Sequence, residues 1–270
     1  MSLIDALLVQ ILAHLLGDFY CQTEERCRRK TFCEMDSTWP CILANLRHGL
    51  VIWIFSFLSF VFLGLVQTGN SAFYAAAVAG SLFCAGSHVL IDLVKSKAIL
   101  RGLTRDSTET KLFFKDQITH MIAIGLLIYW LEGCAEVGWY IAISDITRWL
   151  AFASAFFFVC KPSNIIIKHV LDGFKIEPGK ENHTKKQEPI ENQSAVLNAG
   201  RLIGACERIL LLLLLVKGLF TEAGLILGAK SILRYENAGK NEYVLVGTLL
   251  SVTVVAVVYV ALELAGFVSP

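Results

Sequence analysis

Charged residues are scarce in this chain. Asp, Glu, Lys and Arg make up 17% of the 270 residues, and hydrophobic residues make up 55%, whereas a typical soluble domain has about 25% charged residues. A soluble fold of this length exposes too much surface to hide so much apolar side chain. The formal net charge of +1 also lacks the basicity of a nucleic-acid-binding domain, so no nucleic-acid partner is expected. The composition predicts an integral membrane protein whose main partner is the lipid bilayer.

Several familiar catalytic and metal-binding signatures are also missing. The eight cysteines include no C-x-x-C pair of the kind found in structural zinc sites. The chain has no phosphate-binding P-loop, no nucleophile elbow and no dinucleotide fingerprint. Any chemistry must therefore come from polar side chains within the membrane helices.

Long apolar segments are abundant. A membrane-spanning helix needs about 20 mostly apolar residues. The candidate segments are 3–21, 48–66, 72–95, 116–132, 138–160, 201–219, 222–233 and 243–266. Segment 222–233 is short, so it either crosses the membrane, re-enters it or packs as a short helix. We predict an all-α, polytopic transmembrane helical bundle with about seven or eight membrane helices.

The loops differ in their basic residues. Segments 22–47, 96–115, 173–200 and 234–242 contain Lys or Arg, whereas the loops around 67–71, 132–137 and 219–222 contain none. Basic loops stay in the cytoplasm, so we expect a multi-pass protein of the inner (cytoplasmic) membrane. Both termini lie outside if 222–233 crosses, and the C-terminus is cytoplasmic if it does not.

One polar segment divides the chain. Residues 176–198 contain two prolines and no aromatic residue, a composition typical of flexible segments. We therefore predict an N-terminal membrane domain at 1–172, a flexible cytoplasmic linker at 173–200 and C-terminal membrane helices at 201–270. The linker is the expected docking segment for a membrane or cytoplasmic protein partner, and a homo-oligomer is a further expectation.

Histidines and aspartates recur near the predicted ends of the first four spans. The set comprises the pairs His14/Asp18, His88/Asp92 and Asp116/His120, each four residues apart, and His48 at the start of the second span. Residues four apart lie on the same side of a helix. By the predicted topology these ends all face the cytoplasm, so the seven side chains are expected to form one layer.

Imidazole with carboxylate is the ligand set of zinc, manganese or iron. The layer therefore predicts a divalent metal site, with Asp18, Asp92 and Asp116 as the candidate catalytic carboxylates. Two alternatives stay open, because the same groups form polar contacts that hold helices together or relay protons in other membrane proteins.

Other polar residues surround these spans. They are Gln22, Thr23, Lys95 and Gln117 in the first half, and Glu207, Arg208, Lys230, Arg234 and Glu242 in the second. Gln22 and Thr23 are either candidate supports of the layer or part of a helix C-terminal turn. Lys95 is either a candidate contact for an anionic headgroup or a topology signal, and Gln117 belongs to the polar residues at the start of the fourth span. The second set predicts either interhelical ion pairs or an anion-binding pocket.

The sequence resembles a known family in several segments. These are ILAHLLGDFYCQT, GSHVLIDLVKSK and FKDQITH in the first half, and AGRLIGACERILLLLLL and GAKSILRYENAGKNEYVLVGTLLS in the second. They resemble a bacterial integral membrane family of domain of unknown function 3307. The resemblance implies a bacterial membrane protein with important residues at His14, Asp18, Gln22, Thr23, His88, Asp92, Lys95, Asp116, Gln117 and His120, but it implies no activity.

Three functions fit the sequence. The first is a metal-dependent hydrolase of a lipid or phosphoester, and the His-x3-Asp spacing is similar to that of membrane-bound metal-dependent hydrolases. The second is an ion- or proton-coupled transporter or channel that uses the same layer. The third is a non-catalytic, oligomeric membrane effector or partner subunit.

Overall fold

The computed structural model describes residues 2–22, 39–67, 69–100, 106–134, 137–176, 190–237 and 242–268. These residues form nine α-helices. They are α1 (Leu3–Leu15), which continues as a π-helical turn (Leu16–Tyr20), α2 (Trp39–Val66), α3 (Ser71–Leu100), α4 (Asp106–Glu132), α5 (Asp145–Cys160), α6 (Pro162–Gly173), α7 (Ile190–Val216), α8 (Phe220–Asn237) and α9 (Glu242–Leu264).

Five helical segments are long and apolar enough to cross a membrane. They are Leu3–Tyr20, Trp39–Val66, Ser71–Ile99, Glu109–Glu132 and Leu245–Leu264. The pair α5 and α6, bent by 44° at its break, forms a sixth if it is one span. The predicted helical membrane bundle is thus confirmed. The described residues give fewer such segments than the seven or eight predicted; α7 and α8 are not among them, and each carries four charged residues.

The helices form two compact units, residues 1–154 and 155–270. In the first unit, α1 packs against α2 and α4, and α3 packs against α2 and α4. Phe60, Leu63, Phe73 and Leu127 are almost fully buried there. In the second unit, α9 packs against α6 and α7, and α7 also contacts α8. The predicted linker is only partly described: residues 177–189 lie outside the described residues, and α7 begins at Ile190, inside the predicted linker.

Several helices begin at positions other than the predicted ones, among them α4 at Asp106 rather than residue 116 and α7 at Ile190 rather than residue 201. Helix α2 begins at Trp39 rather than at residue 48, so His48 lies well inside it. Helix α5 begins at Asp145 rather than at residue 138. Gly138 has a φ of +67°, which is outside the helical region, and Tyr140 forms a parallel bridge with Ser2. The backbone N–H of Leu3 donates to the carbonyl of Tyr140 at 3.0 Å, which ties this segment to the start of α1.

Candidate functional site

The first unit brings the predicted polar residues into one cluster, hereafter the His/Asp layer. Its members are His14, Asp18, His48, His88, Asp92, Asp116 and His120. They come from four elements: α1 with its π-helical turn, α2, α3 and α4. Six of them are buried, with at most 7% of their surface exposed, and the Asp18 side chain is 9% exposed.

The π-helical turn sets the direction of Asp18. The N–H of Cys21 donates to the carbonyl of Leu16 at 3.0 Å, an i to i+5 bond that widens the helix at this point. The sequence predicted a regular helix here, with His14 and Asp18 on one face. In the structure Asp18 contacts His48 and His88, and His14 and Asp18 both contact Gln117. π-bulges often occur at functional sites.

Two glycines allow the helices to approach at this level. A Cβ at Gly17 would lie 2.4 Å from Cδ1 of Ile52, and one at Gly49 would lie 2.2 Å from Cγ2 of Val89. Both distances are far shorter than a normal carbon–carbon contact of about 3.5–4.0 Å. Since Gly49 follows His48 and Val89 follows His88, the close approach of α2 and α3 directly positions these two imidazoles.

Asp18, His48 and His88 form the first contact group. His48 Nε2 is 3.1 Å from Asp18 Oδ1 and 2.9 Å from His88 Nε2. The same Asp18 oxygen is 3.4 Å from His88 Nε2. Asp92 Oδ2 lies slightly further away, 3.9 Å from His48 Nε2 and 3.8 Å from His88 Nε2. Three nitrogen and oxygen atoms therefore converge, with a second carboxylate beside them.

Asp116 and His120 form the opposite side of the layer. Lys95 Nζ donates to Asp116 Oδ2 at 2.7 Å. The other oxygen, Asp116 Oδ1, is 3.6 Å from His120 Nε2, which is too long for a hydrogen bond. Within the described part of the chain, both of these buried atoms lack a hydrogen-bond partner. A buried polar atom without a partner is costly, so this pair requires an explanation.

Gln117 connects the two sides. Its Oε1 accepts a hydrogen bond from His14 Nε2 at 3.2 Å. Its Nε2 donates to Asp18 Oδ2 at 3.1 Å and to Asp116 Oδ2 at 3.3 Å. Gln117 therefore orients two carboxylates and one imidazole. Gln22 is half-buried just after the π-helical turn, and Thr23 lies outside the described residues.

The layer contains three overlapping groups of side chains that could hold a metal ion. They are the Asp18 group (Asp18, His48 and His88), the Asp116 group (Asp92, Asp116 and His120) and the three-histidine group (His14, His88 and His120). Within each group, one ligand atom per residue lies within 4.8 Å of the others. Ligands of one tetrahedral metal at about 2.0–2.2 Å lie roughly 3.3–3.6 Å apart, so the distances of 2.9–3.4 Å in the Asp18 group are close to that geometry.

A small cavity adjoins the layer on the side of the bundle interior. It has a volume of about 20 Å³ and is lined by the three-histidine group together with Gln10, Ser56, Cys84, Ser87 and a few apolar residues. Ser56 Oγ donates to Gln10 Oε1 at 2.6 Å. None of these four polar residues was predicted from the sequence to be part of the site. Their helical spacing from the histidines, four residues before His14 in one case and four before His88 in another, was the available signal.

The polar residues of the second unit form a separate arrangement. Lys230 is paired with Glu207. Arg208 is almost fully buried and donates to the carbonyl of Val159 at 2.7 Å, to that of Cys160 at 3.3 Å and to Ser251 Oγ at 3.1 Å. These two carbonyls lie at the break before Pro162, and they also accept from Ser163 Oγ at 2.6 Å and from Asn164 Nδ2 at 3.2 Å, respectively. The side chains of Arg234 and Glu242 lie outside the described residues.

A comparison with known families identifies the first unit. The family model described as protein of unknown function (DUF3307) matches residues 6–147, more than half of the chain. The chain belongs to this family. No curated protein and no solved structure matches it.

The DUF3307 match includes every member of the His/Asp layer and ends before the second unit. The segments 199–215 and 228–251, which also entered the sequence resemblance, therefore lie outside the match. The weaker likeness to metal-dependent hydrolases has no counterpart in these comparisons. The DUF3307 description itself names no function, so a function has to be argued from the geometry of the layer.

Proposed function

We propose that the His/Asp layer binds divalent metal ions at two adjacent positions and that the protein is a membrane-embedded, metal-dependent hydrolase of a lipid or similar phosphoester. The observation that carries this proposal is the pair Asp116 Oδ1 and His120 Nε2. These atoms are buried and face each other at 3.6 Å without a hydrogen bond. A metal ion between them satisfies both atoms, because a carboxylate oxygen and an imidazole nitrogen are both metal ligands.

The arrangement of Asp92 supports two positions rather than one. Asp92 belongs to the Asp116 group, and its Oδ2 also lies 3.8 Å from His88 Nε2, which belongs to the Asp18 group. A carboxylate between two ligand groups can bridge two ions. Paired metals about 3.5–4 Å apart activate water and stabilise both the attacking and the leaving oxygen in phosphoester hydrolysis. In this scheme Asp18, Asp92 and Asp116 are ligands, and any one of them not bound through both oxygens can accept a proton from water.

The charge balance of the layer also favours cations. Among the described residues, the three carboxylates of the layer pair with one Lys or Arg, Lys95, so this part of the chain has a net charge of −2 at the layer when the imidazoles are neutral. Buried charge that is not compensated is very unfavourable. One divalent ion neutralises the layer, and two divalent ions leave an excess that an anionic phosphoester offsets.

Lys95 supports an anionic substrate. Its side chain is 27% exposed, whereas the members of the layer are at most 9% exposed. Lys95 therefore marks the open side of the layer. An ammonium group at that position attracts a phosphate and, on binding it, can exchange its contact with Asp116 for one with the substrate.

The lengths of the helices support a site near the membrane surface. Helix α2 has 28 residues and is about 42 Å long at 1.5 Å per residue, compared with a hydrocarbon core of about 30 Å. His48 lies about 13 Å from the start of α2 by the same rise. If the excess length is shared equally between the two ends, the layer is roughly 7 Å inside the hydrocarbon edge. The basic residues of segment 22–47 favour the cytoplasmic side of the membrane for that edge.

The proposal is tested by measuring metal content. Detergent-purified wild-type protein is compared with Asp116→Asn and with the control Asp145→Asn, whose carboxylate is 90% exposed outside the layer. We expect close to two zinc, manganese or iron ions per chain in the wild type and in the control, and fewer in Asp116→Asn. A phosphodiesterase and lipase assay on the metal-loaded protein follows. If the wild type holds no metal after supplementation with all three metals, the metal site is rejected. If it holds metal but hydrolyses no amphiphile in these assays, the hydrolase is rejected.

A proton relay is the second candidate, and one observation favours it. The contacts His48–His88 and His88–His120 are both 2.9 Å between ring nitrogens, so three imidazoles form a continuous chain. Such a chain can pass protons. The two candidates differ in one measurement, the proton flux across the membrane of liposomes that contain metal-free protein. A relay carries protons across that membrane, whereas the hydrolase does not.

A further inference from the structure

The geometry points to a second kind of metal position in the layer: His14, His88 and His120 hold one transition-metal ion whose remaining coordination position opens into the cavity beside Gln10 and Ser56. This inference rests on the proposed metal-binding function and specifies which ion the inner side of the layer takes. It separates the three-histidine group from the two groups that contain carboxylates.

The three imidazole rings lie close together. The His14 centroid is 5.1 Å from that of His120 and 5.5 Å from that of His88, and the His88 and His120 centroids are 3.9 Å apart. One nitrogen per ring lies within 4.8 Å of the others, and all three residues are buried. His14 has no place in either carboxylate-containing group, which gives this ligand a distinct role.

The cavity supplies what an open coordination position needs. Its volume of about 20 Å³ exceeds the roughly 10–15 Å³ required to hold one water molecule. Gln10, Ser56, Cys84 and Ser87 line it, so a bound water has polar neighbours. Three histidines with one water is the ligand set of open zinc sites, in which the metal lowers the pKa of its water to near 7.

The ligand set also predicts selectivity. Imidazole suits zinc, cobalt, nickel and copper, whereas carboxylate and water suit manganese and magnesium. The three-histidine group therefore takes cobalt or zinc, and the Asp18 and Asp116 groups also accept manganese. His88 is shared with the Asp18 group and His120 with the Asp116 group. An ion held by the three-histidine group, the inner position, therefore competes with ions held by the two carboxylate-containing groups, the outer positions.

The test is a cobalt titration followed by visible absorption, with manganese binding measured in parallel by electron paramagnetic resonance. The proteins are the wild type, His14→Ala and His14→Cys. We expect wild type to show the intense bands of tetrahedral cobalt. His14→Ala loses the share of these bands that the three-histidine position contributes and binds that cobalt ion at least tenfold more weakly, yet keeps its manganese and any bands from the Asp18 and Asp116 groups. His14→Cys, which replaces the imidazole by a thiolate, regains cobalt binding with a new sulfur-to-metal charge-transfer band.

The possible failures are distinguishable. Identical cobalt bands in wild type and His14→Ala overturn the inner position while leaving the proposed outer metal site intact. Cobalt bands that vanish in both His14 variants together with manganese binding also overturn it, because His14 then supports the whole layer rather than one position. Wild-type protein that binds neither cobalt nor manganese overturns the inner position and the proposed function together.

Discussion

The approach of α2 to α3 at Gly49 gives a sharp test of how the layer is built. A Cβ added by Gly49→Ala would lie 2.2 Å from Val89 Cγ2. Relaxing that contact to about 3.5 Å needs a shift of about 1.3 Å. Val89 is β-branched and has one strongly preferred rotamer in a helix, so the helices have to take up most of the shift. Overpacking of this kind costs about 1–3 kcal/mol.

The same shift acts on the adjacent imidazoles. If α2 and α3 separate by about 1.3 Å, the distance of 2.9 Å between His48 Nε2 and His88 Nε2 opens to about 4 Å, beyond the roughly 3.3–3.6 Å that one tetrahedral metal spans. Gly49→Ala is therefore expected to lower both the unfolding temperature in detergent and the metal affinity. The assays are thermal unfolding monitored by size-exclusion chromatography and zinc titration with a competing chelator.

The double variant Gly49→Ala/Val89→Ala provides the matched control. It keeps the new methyl group and removes the atom that the methyl would strike, so both the unfolding temperature and the metal affinity should return most of the way to wild type. A Gly49→Ala protein with wild-type stability and metal affinity would refute the close-approach reasoning. Failure of the double variant to recover would show that the glycine acts by some means other than contact with Val89.

Three further predictions follow from individual contacts. Asp18→Asn replaces the carboxylate that contacts both His48 and His88 by an amide, which is a weaker metal ligand. It should reduce metal affinity by about 10–100-fold in an equilibrium titration, and an unchanged affinity would exclude Asp18 as a ligand. Lys95→Gln should leave metal content unchanged but raise KM for an anionic substrate more than for an uncharged ester, a difference that steady-state kinetics measures directly. Arg208→Met should destabilise the second unit by about 1–3 kcal/mol, since it removes the buried hydrogen bonds to Val159, Cys160 and Ser251, while Arg148→Met at an exposed site changes stability by less than about 0.5 kcal/mol. Equal effects of the two Arg variants in thermal unfolding would contradict the stabilising role of Arg208 at the helix break.

The meeting of the seven layer residues could be predicted from the sequence because two simple rules sufficed. Residues four apart share a helical face, as with His88 and Asp92, and successive spans alternate in direction, so the end of one lies beside the start of the next. The structure places His48 and His88 in contact, as those rules require. Whether the layer is a metal site remains a prediction.

Other features depend on contacts between helices, which cannot be predicted from the periodicity of a single helix. One such feature is the π-helical turn at Leu16–Tyr20, for which the letters LLGDFY contain no established signal. The role of Gly49 depends on Val89, which is forty residues away in the sequence. Arg208 was assigned with Glu207 to a polar set, but its partners include the carbonyls of Val159 and Cys160 at the end of α5, more than forty residues earlier in the sequence.

The energetics of the layer argue that it is retained for its chemistry. Each ionisable group inside a membrane helix costs about 2.5–3.5 kcal/mol on insertion scales, and apolar residues of similar volume often stabilise a protein as well as or better than a buried ion pair does. Two departures from regular helix packing, the π-helical turn and the close approach at Gly49, occur at this same level of the bundle. A π-helical turn beside costly charges is typical of functional sites. A bundle selected for stability alone would fill this level with leucine, so the combination of buried acids, imidazoles and local irregularity is best explained by a ligand that the layer binds.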